Sequence, residues 1–413
     1  MRIPNQNKVF RLSGKVQHYP WGGTSFLPQL LGLANPDNRP FAEYWLGAHD
    51  QASSEVLVEG KSAGRLNDII RGFPRETLGA DVYHIFGRLP YLMKILDVQE
   101  MLSIQVHPSK KMAEIEFAAE NRRGIPLDSS GRNYKDDNHK PEIMVALSDF
   151  WLLHGFRPKA FMDQILEVTP ELRFLLPVFQ NGGYKSLYHT VMKMDQAEIN
   201  LVLSPLLSRI MPVYIEGKLD KGSPDFWACR AAMSFPGKNR IDRGIFSIYL
   251  FNLLRLNPGE GIFQDAGLPH AYLEGQNVEL MANSDNVLRG GLTSKHVDVR
   301  ELMKHVRFEE TVPQPLQKDG SIPGITVFST PAPDFELSRV DLKKEGSVNV
   351  QSASAEISVL LKGRIAVREH QGNAFDCNPG QAWVSFHGAR FEARAMDEAV
   401  LFRATVPLKK TGS

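Results

Sequence analysis

Short apolar segments bounded by glycine or proline recur in both the first and the last part of this 413-residue chain. Such runs are typical of β-strands, and many of them in succession favour a sandwich or a barrel of short antiparallel strands. We predict strands in YLMKIL (91–96), LSIQVHP (102–108), EIMVAL (142–147) and FWLLHGF (150–156). The pattern resumes at Gly244 and continues through residues 253–281, ISVLLKGRIAV (357–367), CNPGQAWVSF (377–386) and EAVLFRATVP (398–407). The chain is therefore predicted to be mainly β.

A segment with helical periodicity lies between these β-rich parts of the chain. Apolar residues fall at i, i+3, i+4, i+7, i+8 and i+11 from Ile199 to Ile210, which predicts an amphipathic helix. Pro205 lies inside it and predicts a kink or a break. A second helix is predicted over 110–122. The predicted organisation is a β domain made of residues 1–156 and 243–312, a helical insert over 157–242, and a second β domain over 313–413 that begins in the Pro-rich segment 311–324.

Charge and cysteine content exclude several classes of protein. The 48 Lys and Arg residues balance 47 Asp and Glu residues, so no overall charge recruits nucleic acid or an anionic membrane. The longest apolar run, residues 245–254, is shorter than the roughly 20 residues that span a bilayer. The N-terminal sequence lacks the apolar core of a signal peptide. The only two cysteines, Cys229 and Cys377, lie far apart and predict neither a disulfide framework nor a cysteine zinc site. We expect a cytoplasmic protein.

Three segments carry side chains suited to a divalent metal. In the strand-like SIQVHP, Gln105 and His107 alternate with apolar residues and should project from the same face. Glu142 follows Pro141, which favours an extended backbone, and His270 follows a Gly/Pro turn. Together these four side chains would form an N2O2 shell that suits zinc, with Mn, Fe or Co as alternatives. Taken singly, a histidine at a turn is more often a surface residue than a ligand.

The segment from Glu279 to Lys295 resembles the signature S-D-N-V-x-R-A-G-L-T-P-K of the type I mannose-6-phosphate isomerase (phosphomannose isomerase) family. The matching residues are Ser284, Asp285, Asn286, Val287, Arg289, Gly291, Leu292, Thr293 and Lys295. Gly290 and Ser294 replace the usual Ala and Pro. Four further segments match family motifs in the same order, namely YPWG (19–22), EYWLG (43–47), LSIQVHPSK (102–110) and NHKPE (138–142).

This resemblance implies a fold of two cupin-like (jelly-roll) β-barrel domains with a helical domain. It implies one Zn²⁺ per subunit, held by Gln105, His107, Glu142 and His270, and an active-site arginine at Arg289. The implied activity is the reversible interconversion of mannose 6-phosphate and fructose 6-phosphate, by proton transfer through a cis-enediol(ate). The family commonly works as a monomer on a sugar phosphate, without nucleic-acid or membrane partners.

The base that moves the proton is not determined by the sequence. The candidates are Glu279, Asp285, His139, Lys140 and Lys94, of which a lysine could serve only with a depressed pKa. Among these we favour His139 for ring opening and Lys140 or Glu279 for proton transfer, while Asp285 is expected to pair with Arg289. Phosphate partners are expected among side chains, because no glycine-rich phosphate loop is present. The candidate substrate contacts are Trp21, Trp45, Ser109, Lys110, Arg289 and Lys295.

Two other functions remain open at this point. One is a metal-dependent oxygenase on the same type of barrel, for which two histidines and a carboxylate around iron would suffice. The other is a sugar-phosphate-binding protein without catalytic activity. A glutamine in the ligand set argues against the first, and Arg289 beside a metal site argues against the second.

Overall fold

The computed structural model describes residues 7–235, 237 and 240–408, and these residues are rich in strands with several helices. The strands before the main helical region are β1 (Val9–Ser13), β2 (Lys15–Gln17), β3 (Glu43–Gly47), β4 (Glu55–Val58), β5 (Lys61–Arg65), β6 (Tyr91–Val98), β7 (Gln105–Val106), β8 (Glu142–Ala146) and β9 (Phe150–Phe156). The next strands are β10 (Phe251–Leu256), β11 (Gly261–Gln264), β12 (His270–Ala282) and β13 (Leu288–Arg289).

The remaining strands follow the Pro-rich segment. They are β14 (Lys318–Asp319), β15 (Ile325–Phe328), β16 (Glu336–Leu342), β17 (Ser347–Gln351), β18 (Glu356–Lys362), β19 (Ile365–Glu369), β20 (Ala374–Cys377), β21 (Ala382–Ser385), β22 (Arg390–Ala395) and β23 (Ala399–Thr405). The strands predicted at 91–96, 142–147 and 150–156 are confirmed as β6, β8 and β9, whereas of the strand predicted at 102–108 only residues 105–106 form a strand, β7.

The helices lie mostly in the middle of the chain. They are α1 (Phe26–Leu30), α2 (Leu66–Gly72), α3 (Pro74–Leu78), α4 (Ala80–Phe86), α5 (Lys110–Arg122), α6 (Lys159–Val168), α7 (Leu175–Lys193), α8 (Gln196–Ile215), α9 (Pro224–Ser234), α10 (Gly244–Leu250) and α11 (Val299–His305), with a 3₁₀ turn at Pro170–Leu172. No helix in the described part of the chain combines the length and the apolarity needed to cross a lipid bilayer.

The long strand β12 joins the two halves of a ten-stranded sheet. Its first residues pair with β7 and β9, and its last residues pair with β6 and β8. The register shifts between Tyr272 and Glu274, and the next residue, Gly275, has a φ of 125°. A Cβ on Gly275 would lie 2.6 Å from the backbone oxygen of Asp149, so only glycine fits there. Through β12, side chains from both halves of the sheet reach one interior.

Successive side chains of strand β6 alternate between the apolar core and the interior that both halves of the sheet face. Tyr91, Met93 and Ile95 pack into the same apolar cluster as Leu337 and Ile357 of the C-terminal strands. The alternate residues Leu92, Lys94 and Leu96 face the other way. A lysine inside a fully buried strand therefore marks the face that carries polar groups.

The C-terminal strands belong to two further sheets. One has four strands in the order β17-β22-β19-β20, and the other has nine in the order β14-β15-β16-β23-β18-β21-β1-β4-β5. Strands β1, β4 and β5 thus pair within the sheet of the C-terminal region, although the predicted boundary placed residues 1–156 in the first β domain. The sequence offers no signal for this pairing, because β1 and β21 are more than 300 residues apart.

The helical periodicity predicted for residues 199–210 is confirmed by α8. Its buried residues are Ile199, Leu203, Leu206 and Ile210. The predicted break at Pro205 is absent, since α8 continues through it. Both Pro205 and Leu201, whose carbonyl loses its helical hydrogen bond, lie on the exposed side, where water can satisfy that carbonyl. The helix predicted over 110–122 is confirmed as α5, with Ser109 as its N-cap.

The strand expected to resume at Gly244 is wrong for its first seven residues. Residues 244–250 form α10, which is buried along its whole length, and the strand begins only at Phe251. A short apolar run without polar alternation has no period that distinguishes a buried helix from a buried strand. The packing of α10 against the helical core decides its conformation.

Candidate active site

A cleft of about 590 Å³ lies over the inner faces of β3, β6 and β12. It brings together most of the side chains predicted to form the site. These are Trp21, Trp45, Lys94, Gln105, Lys140, Glu142, His270, Glu279, Asp285, Arg289 and Lys295.

Three of the four predicted metal ligands meet in this interior. One nitrogen or carboxylate oxygen from each of His107, Glu142 and His270 lies within 4.8 Å of the others, and all three residues are buried. Nε2 of His107 is 3.4 Å from Oε1 of Glu142, and Nε2 of His270 is 3.2 Å from Oε2. The ligands come from β7 and its end, the start of β8 and the start of β12, so the two halves of the sheet supply one site.

The hydrogen bonds of the two imidazoles fix which nitrogen faces the carboxylate. Nδ1 of His107 donates to the carbonyl of Asn286 at 2.7 Å, and Nδ1 of His270 donates to the carbonyl of Leu268 at 2.9 Å. Since a carbonyl can only accept, both Nδ1 atoms carry the proton in the neutral ring. Burial, helped by Lys140, lowers the pKa of His107 to about 4, so this ring is neutral at pH 7.

The lone pair of His107 Nε2 therefore faces the carboxylate of Glu142 without a proton between them. This Nε2 is buried and has no hydrogen-bond partner among the described residues. Such a contact is unfavourable on its own, whereas two imidazoles and a carboxylate around a divalent cation are a favourable arrangement. The donor set therefore fits a metal ion.

Gln105 lies next to this group in the sheet. It pairs in register with His270 on one side and with Arg289 on the other, and it lines the cleft. Ile104 and Val106 pack into the apolar core on the opposite face, as the alternation predicts. Gln105 is thus available as a fourth, neutral oxygen donor.

The carboxylate of Glu142 also has a cationic neighbour. Nζ of Lys140 lies 2.7 Å from Oε1 of Glu142, and both side chains are almost completely buried. Burial alone would raise the pKa of Glu142, but Lys140 and His107 outweigh it and hold this pKa well below its usual range. Glu142 is therefore ionised and ready to bind a cation.

A second buried ionic group lies deeper along β6 and β12. Nζ of Lys94 is 3.2 Å from Oε1 of Glu279 and 3.4 Å from Oε2 of Glu43, and the hydroxyl of Tyr272 donates to Oε2 of Glu279 at 2.9 Å. Burial would lower the pKa of Lys94, but Glu43 and Glu279 raise it above its ordinary value. This environment holds Lys94 in its protonated form, whereas a lysine base would need a lowered pKa.

The carboxyl group of Glu279, unlike the ammonium group of Lys94, is suited to act as a base. Burial raises its pKa, Lys94 opposes this, and Glu142 adds to the rise, so the pKa of Glu279 lies above that of an ordinary glutamate. Such a carboxylate is a stronger base than an exposed one. Sequence reasoning missed Glu43 and Tyr272, although the spacing of Glu43 and Trp45 in the EYWLG motif puts both on the face of β3 that carries polar groups.

The expected pair between Asp285 and Arg289 is wrong. Oδ2 of Asp285 lies 3.2 Å from Nε2 of His49, which is buried against Trp45. Burial would raise the pKa of Asp285, but the hydrogen bond and charge of His49 lower it below its usual value. His49 was not among the predicted residues, because nothing in its local sequence separates it from a surface histidine.

Arg289 and Lys295 line the cleft as cations without a carboxylate within 4.0 Å among the described residues. Burial lowers the pKa of Arg289, and burial together with Arg289 lowers the pKa of Lys295. The two charges are close enough to repel one another and lack a protein counter-ion. Two such cations in one cleft suit the binding of an external anion, and Thr293 and Ser294 line the same cleft.

Besides His107, which is fully buried, three predicted residues do not line the cleft. Nε2 of His139 lies 2.9 Å from Oδ2 of the buried Asp334, so this ring is directed toward the C-terminal strands rather than into the site. The hydroxyl of Ser109 caps α5, and Lys110 lies on the surface beside Asp137 and Glu114. The partner of His139 is 195 residues away in sequence, whereas Ser109 and Lys110 have partners within about one turn of α5.

Known proteins are similar in sequence to most of this chain. The family profile described as "Phosphomannose isomerase type I, catalytic domain" matches residues 9–159. The mannose-6-phosphate isomerase of Escherichia coli (strain K12) is 38% identical over 359 residues, which cover 83% of this chain and 87% of that protein. The mannose-6-phosphate isomerase of Bos taurus is 32% identical over 432 residues, with coverages of 97% and 96%.

Solved structures agree with the sequence relatives. The crystal structure of mannose 6-phosphate isomerase from Salmonella typhimurium, bound to substrate and a zinc atom, superposes with a TM-score of 0.86 at 34% identity. The match covers 97% of this chain and 100% of that chain.

Proposed function

Because this chain belongs to the type I phosphomannose isomerase family, we infer that it catalyses the reversible interconversion of mannose 6-phosphate and fructose 6-phosphate with the help of zinc. The observation that carries this function is the buried group of His107, Glu142 and His270, in which two imidazole nitrogens face a carboxylate at the floor of a cleft. No comparable observation supports a metal-dependent oxygenase or a sugar-phosphate-binding protein without catalytic activity.

We propose that His107, Glu142, His270 and Gln105 hold the zinc ion. The two imidazoles are oriented by backbone carbonyls, and Glu142 supplies the negative charge. When bound, zinc acts as a Lewis acid on the carbonyl and hydroxyl oxygens at C1 and C2 of the open-chain sugar.

Glu279 is proposed as the base that moves the proton between C1 and C2 through a cis-enediol(ate). Its carboxylate lines the cleft and has a raised pKa, and the hydroxyl of Tyr272 and the ammonium of Lys94 fix its two oxygens. Lys94, which stays protonated, stabilises negative charge that develops on the sugar oxygens.

Asp285 and Lys140 are proposed for the proton movements of ring opening. Asp285 is ionised, partly exposed and held by His49, so it can accept a hydroxyl proton from the sugar. Lys140 lies beside the metal ligand Glu142 and can donate a hydrogen bond to a sugar oxygen. His139, bound to Asp334, is assigned the structural part of holding the segment that carries both Lys140 and Glu142.

Arg289 and Lys295 are proposed to bind the phosphate group. Both line the cleft, both lack a carboxylate partner in the described structure, and a phosphate dianion would offset their mutual repulsion. Trp21, stacked on Tyr19 with ring centroids 5.8 Å apart, is proposed as a wall of the sugar pocket.

Replacing Lys295 by methionine is expected to raise the KM for mannose 6-phosphate roughly 10- to 150-fold, since a hydrogen bond to a charged group contributes about 1.5–3 kcal/mol. The kcat value should change little, because the phosphate is remote from the reacting carbons. Steady-state kinetics give both constants. Lys110→Met is the matched control and should keep the wild-type KM, because Lys110 lies outside the cleft. An equal rise in both variants would contradict the phosphate assignment.

Removing the metal tests the function directly. Purified protein treated with a strong chelator should lose all conversion of mannose 6-phosphate to fructose 6-phosphate, and added zinc should restore it. Metal analysis and a coupled assay for fructose 6-phosphate follow the two quantities together. Full activity after verified metal removal would overturn the zinc-dependent mechanism, and a zinc-loaded protein without isomerase activity would overturn the function.

We propose that the architecture is cupin-like, with two jelly-roll β domains and a helical domain. The metal site lies in the first β domain, made mainly of residues 1–156 and 243–312. The helical domain corresponds to residues 157–242 and the second β domain to residues 313–413, which also includes β1, β4 and β5 in its larger sheet. An apolar cluster formed by the C-terminal strands together with Val9 of β1 supports a separate second β domain.

We further propose that the protein acts as a monomer in the cytoplasm, with the sugar phosphate as its only partner and no nucleic acid or membrane. The nearly equal numbers of basic and acidic residues support the absence of electrostatic recruitment. The buried, unpaired Cys229 and Cys377 support a reducing compartment.

A further inference from the structure

Gln264 is a polar side chain with no visible role. It lies at the end of β11, it is fully buried, and it does not line the cleft. Neither its Oε1 nor its Nε2 atom has a hydrogen-bond partner among the described residues. Burial raises the pKa of Tyr272, and a hydrogen-bonding interaction with the amide of Gln264 opposes that rise, while the Tyr272 hydroxyl donates to Glu279. Buried amides are nearly always fully hydrogen-bonded, so one without a close partner calls for an explanation.

The position of Gln264 in the sheet identifies a partner for this amide. Gln264 is directly opposite Glu142 in the antiparallel pairing of β11 and β8. Side chains of directly opposed residues project from the same face with their Cβ atoms about 4.5–5.5 Å apart. Gln264 is therefore a direct cross-strand neighbour of Glu142, whose carboxylate contacts both imidazoles, and the neighbour on the other side is the apolar Met281.

The hydrogen bonds of Glu142 leave room for another donor. Oε1 accepts from Lys140 at 2.7 Å, while Oε2 has only Nε2 of His270 beside it, at 3.2 Å. A buried carboxylate has about four acceptor sites, so both oxygens of Glu142 can accept a further hydrogen bond.

We propose that Gln264 is a positioning residue for the metal site, whose amide Nε2 donates a hydrogen bond to Glu142 when zinc is bound. This inference rests on the proposed zinc-dependent function. With zinc held by the two imidazoles and one oxygen of Glu142, the other oxygen of Glu142 would accept the hydrogen bond from the Gln264 amide. Gln264 then holds the orientation of Glu142, as outer hydrogen-bond partners of metal ligands do.

The test compares zinc affinity with the stability of the metal-free protein. Gln264→Met keeps the side-chain length and removes the amide. We expect its zinc dissociation constant, measured by competition with a chromophoric chelator, to rise about 10- to 100-fold. The melting temperature of the metal-free protein should be equal or higher, because a buried unpaired amide has been replaced by an apolar group. A purely structural role would instead lower that temperature and leave zinc affinity unchanged.

Asn277 provides a matched control on β12. It is also fully buried with both amide atoms unpaired, but its neighbours across the sheet are Leu96 and Ala146, neither of which is a metal ligand. Asn277→Leu should bind zinc like the wild type. Gln264→Leu replaces the Met variant if the latter does not fold.

The outcomes separate this inference from the proposed function. Wild-type protein that binds zinc while both Gln264 variants bind it equally well would overturn the role of Gln264 and leave the isomerase intact. Equal weakening in the Asn277 and Gln264 variants would also overturn it, since the effect would then be general. Wild-type protein that binds no zinc would overturn the metal assignment itself.

Discussion

Replacing Glu279 by glutamine is expected to lower kcat about 10²- to 10⁴-fold, the usual contribution of a general base. Glutamine has the same shape and can still accept the hydrogen bond from Tyr272, but it cannot take a proton from C1 or C2. The KM and the zinc content should remain close to those of the wild type, because Glu279 is neither a proposed metal ligand nor a proposed phosphate contact. Steady-state kinetics and metal analysis measure these quantities.

Solvent exchange isolates the proton-transfer step. Wild-type enzyme in D₂O should introduce deuterium at C1 or C2 of the sugar phosphate, as followed by NMR, and the Glu279→Gln variant should lose this exchange along with turnover. Tyr272→Phe is the control that removes the hydrogen bond to Glu279 but retains the carboxylate, so a smaller loss is expected. Exchange at the wild-type rate in the Glu279 variant would assign the base to another residue, with Lys140 and Asp285 as the remaining candidates in the cleft.

Replacing Glu142 by glutamine is expected to weaken zinc binding by more than the roughly 10- to 100-fold that outer-shell changes produce. Glu142 is the only negatively charged member of the proposed ligand set, and its loss leaves two neutral imidazoles and an amide to hold a divalent cation. The buried ammonium of Lys140 would then lie beside an uncharged group and repel the metal. Chelator competition gives the affinity, and activity at saturating zinc shows whether catalysis returns with occupancy.

Glu356 offers a control for the removal of a buried, paired carboxylate. It lies in the C-terminal strands, is 3% exposed, and accepts a hydrogen bond from Nη2 of Arg403 at 2.7 Å. Glu356→Gln should lower the melting temperature while leaving zinc affinity as in the wild type. If Glu142→Gln also retained full zinc affinity, the three-residue cluster at the floor of the cleft would not be the metal site.

The parts of the molecule that follow from local sequence were predictable. The strands over 91–96 and 142–147 and the helix over 110–122 are confirmed, because alternation, turn residues and the serine N-cap act within a few residues of each other. The amphipathic stripe of α8 was visible for the same reason. Errors arose where neighbours distant in sequence decide the outcome, as at Gly244–Leu250, where burial on all sides leaves no period to detect.

The candidate site shows the same difference between features that local sequence predicts and features that distant neighbours decide. Residue types and motif order were enough to select Gln105, His107, Glu142 and His270, since the chemistry of a metal ligand is a property of the side chain itself. The pairing of the ionisable side chains could not be predicted in this way. Asp285 pairs with His49 rather than Arg289, and His139 pairs with Asp334, each across long stretches of chain.

The sequence alone therefore determined the strand-rich architecture, the candidate metal-binding side chains and the family to which they point. The tertiary structure decided the charge state and the surroundings of the side chains in the cleft. Lys94 is held protonated by Glu43 and Glu279, Glu279 is made more basic by burial, and Arg289 and Lys295 are left without carboxylate partners in the described part of the chain. The reason is physical: a pKa and an ion pair depend on distance and burial in space, and β12 brings together groups that the chain itself keeps far apart.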